Sequence, residues 1–300
     1  MDELRFDGQA VVVTGAGRGI GREYALLLAE RGASVVVNDL GSSMLGEGSA
    51  SSPADEVVDT IVAQGGVAVA NYESIATLEG SKAVVDAALE NFGRIDALIN
   101  NAGIMRMVPF SEATVESLTK HFEVHVLGTF LMCKAAWPHM VDAGYGRIVN
   151  TVTGGLFGLA ELTEYGPAKG AVFAFTRSLA LEAAAHGIGV NAIAPQGATR
   201  MLGASQLSPE LRERLAVLMR PALVAPGAVF LAHQKCFLNG ETLAVSGGKV
   251  CRIGLTENEG IFDENLSPEM IFDRLGEVLD ESTARHWASA SAKYEGRAKS

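Results

Sequence analysis

The feature that most constrains this chain is a regular alternation of short apolar runs with longer stretches of helical periodicity. The runs are rich in Val, Ile and Ala, as is typical of parallel strands buried on both faces. They cover residues 9–14, 34–38, 67–70, 95–100, 147–151, 189–194 and 242–245. Strands that alternate with helices form βαβ units. We therefore predict an α/β fold, a doubly wound sheet of about seven parallel strands with helices on both faces.

The segments between these runs predict helices, and two regions differ from them in composition. Helices are expected at 22–31, 53–64, 80–92, 115–141 and 168–185. Residues 41–52 are rich in Gly and Ser and predict a mobile loop. After residue 253 the sequence becomes polar and acidic. We expect one nucleotide-binding and catalytic domain over 1–253, and a C-terminal extension over 254–300 that packs on the core or on a neighbouring subunit.

Composition and charge exclude several classes of function. The formal net charge of -11 repels phosphate backbones, so nucleic-acid binding is not expected. The N-terminus lacks the basic-then-apolar order of a signal peptide, and no apolar run is long enough to suggest a membrane span. Cys133, Cys236 and Cys251 share no metal-ligand spacing. We expect a cytoplasmic protein with reduced thiols, without a metal and without a membrane partner.

A glycine cluster lies between the first predicted strand and the first predicted helix. Glycines there permit a tight turn and let main-chain amides approach a pyrophosphate at the helix N-terminus. A glycine cluster alone can also be a plain loop, but the flanking strand and helix favour a dinucleotide site. The candidate cofactor-binding residues of this loop are Gly15, Gly17, Arg18, Gly19, Ile20 and Gly21.

Asp39 ends the second predicted strand, a little over twenty residues after the first glycine of the loop. A carboxylate at this point can accept hydrogen bonds from the adenosine ribose diol, and it repels a 2′-phosphate. The alternative is a solvated loop aspartate without a role. The dinucleotide interpretation favours NAD over NADP as the cofactor.

Tyr165 and Lys169 are four residues apart near the start of a predicted helix, so they share one face. A cation near a phenol stabilises the phenolate and lowers the pKa of the phenol. A tyrosine in that setting can take a proton from an alcohol or return one to a ketone. The pair alone is a weak signal, and the dinucleotide loop makes it specific.

Three motifs together resemble the short-chain dehydrogenase/reductase family over residues 5–250. They are the glycine loop at 14–21, the segment Asn100-Asn101-Ala102-Gly103 and the segment Tyr165-Gly166-Pro167-Ala168-Lys169. The resemblance implies a Rossmann fold, hydride transfer at nicotinamide C4, and a homo-oligomer, usually a tetramer and otherwise a dimer. It also implies that Tyr165 is the acid/base, that Lys169 binds the nicotinamide ribose, and that Asn101, Ala102 and Gly103 contact the cofactor.

Two positions depart from the pattern that the family usually shows. Thr153 stands where the family has a serine that orients the substrate oxygen. Threonine can donate the same hydrogen bond, but its methyl group crowds the pocket. His125 matches the family asparagine that supports a water relay to the lysine. A packed helix histidine without a catalytic role is an equal alternative for His125.

A closer similarity is to the (3R)-hydroxyacyl-CoA dehydrogenase unit of peroxisomal multifunctional enzyme type 2 and its bacterial relatives. It is carried by residues 36–41, 68–72, 135–140 and 145–148. The segment Glu161-Leu162-Thr163-Glu164 departs from that subgroup, and we expect its two carboxylates to disfavour a CoA thioester.

These patterns predict an NAD-dependent enzyme that interconverts a secondary alcohol and a ketone. The expected substrate is a 3-hydroxyacyl thioester or a bulky neutral alcohol such as a steroid or terpenoid. The alternative from another class is a non-catalytic, dinucleotide-sensing binding protein on the same fold. The replaced serine favours that alternative, and the intact Tyr165 and Lys169 count against it.

Overall fold

The computed structural model describes residues 3–198 and 208–297. The chain divides into two compact units, Met1–Arg252 and Ile253–Ser300. The sequence analysis expected the division one residue later.

The larger unit alternates strands and helices along the chain. Its strands are β1 (Ala10–Thr14), β2 (Ser34–Asn38), β3 (Val67–Asn71), β4 (Ala97–Asn100), β5 (Gly146–Thr151), β6 (Ile188–Gln196), β7 (Thr242–Ser246) and β8 (Lys249–Ile253). Its helices are α1 (Gly19–Glu30), α2 (Ser52–Ala63), α3 (Leu78–Phe92), α4 (Val115–His121), α5 (Gly128–Ala143), α6 (Tyr165–Ala183), α7 (Pro209–Leu218) and α8 (Ala225–Ala232). A short 3₁₀ helix, Gly154–Phe157, lies between β5 and α6.

The strands form one sheet in the order β3-β2-β1-β4-β5-β6-β7-β8, and the pairs from β3 through β7 are parallel. The predicted doubly wound α/β fold is confirmed. The strand that the sequence did not predict is β8, which follows β7 after the two-residue turn Gly247–Gly248. The order reverses between β1 and β4. In open α/β sheets, ligands bind at the carboxyl ends of the strands beside such a reversal.

Two apolar clusters cover the two faces of the sheet. Val11 and Val13 of β1 belong to one cluster, together with side chains of α1, α2 and α8. Val12 belongs to the other, together with side chains of α3, α5 and α6. Successive side chains of a strand point to opposite faces, so β1 contributes to both clusters and is covered on both sides. This burial explains the continuous apolar run in the sequence.

The single long helix predicted over 115–141 is wrong in one respect. The structure ends α4 at His121, inserts a π-helical turn over Phe122–Leu127, and resumes as α5. A π-turn adds a residue to the helical repeat, and such turns are frequent at functional sites. Apolar periodicity does not reveal this insertion because the chain stays helical throughout.

The predicted loop at 41–52 closes into a hydrogen-bonded turn. The amide of Ser43 donates to the carbonyl of Glu47 at 2.8 Å, and the amide of Gly46 donates to the carbonyl of Ser43 at 3.0 Å. The amide of Met105 donates to the carbonyl of Met44 at 3.1 Å. The turn therefore lies against the segment that follows β4.

The smaller unit contains a two-stranded antiparallel sheet, β9 (Thr256–Glu257) with β10 (Arg285–His286). Its helices are α9 (Pro268–Asp273), α10 (Leu275–Val278) and α11 (Ala290–Arg297). The hydroxyl of Ser267 accepts a hydrogen bond from the amide of Met270, as expected of an N-cap. Among the described residues of either unit, none of the helices has the length and apolarity that crossing a bilayer requires.

Candidate active site

The glycine loop connects β1 to α1 at the point where the strand order reverses. Gly15 has a φ of +62°, and a Cβ atom there would lie 2.7 Å from the Cα atom of Ala102, so only glycine fits. Arg18 is exposed and is the N-cap residue of α1, and Gly19 and Gly21 form the first turn of that helix. Ile20 is half-buried against the core. The amides of the first helical turn are thus available to an anion.

Asn101 fastens the glycine loop to the end of β4. Its side-chain amide donates to the carbonyls of Thr14 and Gly15, each at 3.0 Å. The main-chain amides of Asn101 and Ala102 donate to the Thr14 hydroxyl at 3.0 and 3.1 Å. The structure therefore gives the Asn101 side chain a role in holding the loop. Gly103 lies beside the ring of His125, since a Cβ atom there would be 2.5 Å from Cε1.

Asp39 lies at the end of β2, next to the glycine loop. One carboxylate oxygen accepts from the amide of Gly17 at 2.8 Å, and the other accepts from the amide of Gly41 at 2.7 Å. A carboxylate oxygen accepts more than one hydrogen bond, so both oxygens keep acceptor capacity. The charge of Asp39 is therefore fixed in place beside the loop that would hold a pyrophosphate.

Tyr165 begins α6, and Lys169 lies one turn further along the same face. The Nζ atom of Lys169 is 5.8 Å from the centroid of the Tyr165 ring, and it donates to the carbonyl of Thr151 at 2.7 Å. Both side chains are buried. Burial raises the pKa of Tyr165 to about 12 and lowers the pKa of Lys169 to about 7.

The expectation that Lys169 lowers the pKa of Tyr165 is therefore not met. Burial penalises the charged form of each group, which raises the pKa of the phenol and lowers the pKa of the amine.

Thr153 lies within hydrogen-bonding contact of Tyr165, and this contact opposes the rise in the pKa of the phenol. Its hydroxyl also accepts from the amide of Gly155 at 3.0 Å, which caps the 3₁₀ helix after β5. A hydroxyl that accepts in this way still has one proton to donate. The structure thus places Thr153, which was predicted to orient the substrate oxygen, near Tyr165.

Two histidines pack edge-on against Tyr165. The ring centroids of His125 and His121 are 5.2 and 6.3 Å from that of Tyr165, and the two imidazoles stack at 5.9 Å. The Nε2–H of His125 donates to the carbonyl of Ile104 at 2.8 Å, and Nδ1–H of His121 donates to that of Ser117 at 2.8 Å. Burial, followed by the charge of Lys169, holds the pKa of His125 well below its ordinary range. His125 is therefore neutral, and His121 was not identified from the sequence.

A chain of buried amides lies behind the tyrosine and the lysine. The side-chain amide of Asn100 donates to the side-chain oxygen of Asn150 at 2.9 Å, and the amide of Asn150 donates to the hydroxyl of Thr176 at 3.0 Å. These bonds connect β4, β5 and α6. The side-chain oxygen of Asn100 has no partner among the residues that the structure describes, but the two bonds join the strands to α6 and so help to orient the helix that carries Tyr165.

Glu164 precedes Tyr165, and its side chain is only 3% exposed. Its carboxylate accepts from the amide of Thr114 at 2.8 Å and from the hydroxyl of Ser117 at 2.6 Å, and it pairs with Arg106 at 3.3 Å. Burial would raise the pKa of Glu164, but the bonds from Ser117 and Thr114 and the charge of Arg106 lower it. The expectation of two carboxylates that face a substrate is therefore corrected, since Glu164 is enclosed and its charge is compensated.

A cavity of about 330 Å³ adjoins the ring of His121. It lies between the turn after β2, the segment after β4 and helix α4. Its lining residues are Leu45, Glu47, Ile104, Met105, Arg106, Thr114, Glu116, Ser117, Lys120 and His121.

Comparisons with known proteins agree with this geometry. The family model described as short chain dehydrogenase matches residues 9–208. A short-chain type dehydrogenase/reductase of Mycobacterium tuberculosis is 44% identical over 279 residues, which are 92% of this chain and 96% of that protein.

Two solved structures are similar along most of the chain. Full-length peroxisomal multifunctional enzyme type 2 from Drosophila melanogaster matches with a TM-score of 0.80 and 30% identity, over 99% of this chain and 49% of that one. The chain thus spans about half the length of that enzyme. A 7α-hydroxysteroid dehydrogenase complexed with NADH and 7-oxo glycochenodeoxycholic acid matches with a TM-score of 0.73 and 31% identity, over 83% of this chain and 98% of that one.

Proposed function

Because the chain belongs to the short-chain dehydrogenase family, we propose that it is an NAD-dependent enzyme that interconverts a secondary alcohol and a ketone. The observation that carries this proposal is the burial of Tyr165 beside Lys169, whose Nζ atom lies 5.8 Å from the centroid of the phenol ring, at the carboxyl end of β5. A phenol, a hydroxyl donor and a buried amine are the groups that proton transfer to and from a carbonyl oxygen requires.

The residues at the sheet reversal fit a dinucleotide. The turn at Gly15 leaves no space for a side chain, and the first turn of α1 supplies amides for a pyrophosphate. Asp39 would accept from the ribose diol and repel a 2′-phosphate, which supports NAD over NADP. Bound NAD would supply the acceptor for a hydride from the carbinol carbon.

The proton chemistry follows from the residues of the chain. The Thr153 hydroxyl accepts from Gly155 through a lone pair, and its one proton would be donated to the substrate oxygen when a substrate lies next to Tyr165. Tyr165 takes the proton of the alcohol or returns one to the ketone. With a pKa of about 12 it is protonated at neutral pH, which favours ketone reduction, whereas alcohol oxidation gains from alkaline pH. Lys169, held by the carbonyl of Thr151 with its Nζ atom 5.8 Å from the phenol ring, would stabilise a phenolate when it is charged.

The proposed substrate is a 3-hydroxyacyl thioester or a bulky neutral alcohol such as a steroid. Large apolar side chains are exposed on the segments that flank the site, with Phe110 at 79%, Phe157 at 80% and Leu159 at 59%. Exposed apolar patches of this kind suit a large apolar ligand. The pairing of Glu164 with Arg106 removes one of the two charges that counted against a thioester.

The proposed partner in assembly is a second copy of the chain. Side chains of α4, the π-turn, α5 and α6 form an apolar groove of about 380 Å³ on the surface. Its lining residues are Thr119, Phe122, Glu123, Val126, Leu127, Phe130, Val172 and Phe175. A groove so lined is suited to burial between subunits.

A substrate screen tests the enzymatic proposal. Purified protein with NAD and a panel of secondary alcohols, including 3-hydroxyacyl thioesters and hydroxysteroids, should produce NADH, measured by its absorbance. The ketones with NADH should give the reverse change, fastest near neutral pH. Tight binding of NADH without turnover of any panel member would instead favour a dinucleotide-sensing protein. Thr153 in place of the family serine is the feature that favours this second function.

A further inference from the structure

Glu164 is the N-cap residue of α6, but its side chain does not cap that helix. The first turn of α6 instead has the amide of Gly166 donating to the carbonyl of Leu162 at 2.7 Å. The carboxylate of Glu164 reaches away from its own helix to groups on two other segments. An acidic N-cap usually bonds amides of its own first turn, so this side chain is used for something else.

The partners of Glu164 belong to the segments that surround Tyr165. Thr114 is the N-cap of α4, and its amide precedes the helix, so without Glu164 it would lack a partner. Ser117 lies in the first turn of the same helix, and Arg106 lies on the segment after β4. One carboxylate therefore joins the start of α6 to the start of α4 and to the wall of the cavity beside His121.

Helix α4 leads directly to the groups that contact the phenol. It ends at His121, and the π-turn that follows carries His125. Both imidazoles pack edge-on against Tyr165. The position of α4 thus decides where the two rings meet the phenol. Glu164, the residue before Tyr165 in the sequence, holds α4 in that position.

The Glu164 side chain ends where three donors converge, namely an amide, a hydroxyl and a guanidinium. One carboxylate oxygen accepts from Thr114 and Arg106, and the other accepts from Ser117. Burial of that charge is offset by Arg106 and by the two hydrogen bonds. Removing the carboxylate would take away the one group that all three of these part-buried donors share, and with it the link between α6 and α4.

We propose that Glu164 is a positioning residue for catalysis, which clamps α6 to α4 and so sets Tyr165 against Thr153 and the two histidines. This inference rests on the proposed function, because it assigns Tyr165 as the acid/base. Glu164 does not act on the substrate itself. A displacement of the phenol by about 1 Å is enough to slow a reaction by about 100-fold.

Two variants and a matched control test the proposal. Glu164→Ala should lower kcat by about 10- to 100-fold while KM and the dissociation constant of NADH change little. Glu164→Gln should recover most of the lost rate, because the amide keeps an acceptor for Thr114 and can pair with Ser117. Glu161→Gln changes a carboxylate three residues away whose side chain makes no hydrogen bond or ion pair with these described segments, and it should match the parent enzyme when the substrate is a neutral alcohol. Equal kcat in Glu164→Ala and the parent would overturn the positioning role.

Hydrogen exchange gives a readout that does not depend on turnover. Glu164→Ala should speed exchange in both 110–120 and 162–170, while Glu164→Gln and Glu161→Gln leave these segments protected. Unchanged protection in Glu164→Ala would overturn the clamp, whatever the kinetics. A parent enzyme that turns over none of the tested alcohols would overturn the proposed function, and the exchange data would still support or overturn the clamp by themselves.

Discussion

The Nζ atom of Lys169 donates a hydrogen bond to the main-chain oxygen of Thr151 at 2.7 Å. This bond joins α6 to the end of β5, next to the hydroxyl of Thr153. The Lys169 residue is only 3% exposed, and burial lowers the pKa of its amine to about 7. Burying a charged amine disfavours folding. Lys169, which is placed for chemistry, therefore also affects how the stability of the protein depends on pH.

The contribution of Lys169 to stability should rise with pH between about 7 and 10.5, the range between its folded and ordinary pKa values. In this range the unfolded chain binds a proton that the folded protein does not, so a higher pH favours folding. The contribution is at most about 1.4 kcal/mol per pH unit. Urea unfolding of the parent and of Lys169→Met at several pH values measures it. Equal slopes in the two proteins would mean that Lys169 is charged when folded.

Tyr165→Phe keeps the ring and deletes only the hydroxyl. Turnover should fall by at least the roughly 10²- to 10⁴-fold that is typical of general acid–base catalysis. Binding of NADH should be preserved, because the packing of the ring against His121 and His125 is unchanged. Steady-state kinetics and fluorescence titration measure the two effects. A variant that retains most of the parent kcat would remove Tyr165 from the role of acid/base.

The sequence predicted the parts of this molecule that depend on local pattern. Buried strands appear as apolar runs, and the loop after β1 appears as a glycine cluster, because each is dictated by burial or by main-chain geometry. The neighbouring positions of Tyr165, Lys169 and Thr153 follow from the parallel order of β5 and the helix after it. Two residues one helical turn apart, and a residue just after a strand, can both be recognised from a single sequence.

Other features depend on contacts between distant segments, which one sequence does not show. Glutamate is usually a surface residue. Glu164 is a buried clamp only because Arg106 and Ser117, more than forty residues away in the sequence, lie next to it in the fold. The raised pKa of Tyr165 has the same origin, since burial is a property of the folded chain. His121 lacked any motif, and the π-turn that follows it is invisible to helical periodicity.

Asp39 should make the protein bind NAD at least tenfold more tightly than NADP, a difference of about 1.4 kcal/mol. Its charge is held next to the glycine loop by the amides of Gly17 and Gly41, so it cannot move away from a 2′-phosphate. Asp39→Asn keeps the size of the side chain and should reduce this preference. Fluorescence titration of the reduced cofactors measures both constants. Equal dissociation constants in the parent protein would refute the assignment of Asp39.

A charge placed in the apolar groove should disrupt assembly. The Phe130 side chain is 47% exposed and lines the groove next to Phe122 and Leu127. Phe130→Arg should therefore reduce the mass measured in solution, because burying an unpaired charge between subunits is costly. Leu181→Arg is the control, since Leu181 is 60% exposed on α6 but does not line the groove. An unchanged mass in Phe130→Arg would show that this groove is not an interface between copies.

Thr153 offers the most specific test of the proposed chemistry. Its hydroxyl accepts from Gly155, and its one proton, which opposes the rise in the pKa of Tyr165, would be donated to the substrate oxygen once a substrate binds. Thr153→Val is close to isosteric and removes that donor. The transition-state stabilisation obtained from kcat/KM should therefore fall by about 1–3 kcal/mol. Thr153→Ser keeps the donor and should stay active, with a wider substrate range because the methyl group is gone. Because valine also loses the cap on Gly155, thermal unfolding of both variants must accompany the kinetics. A valine variant with parental kcat/KM would show that the hydroxyl is idle, and the substrate oxygen would then need another donor.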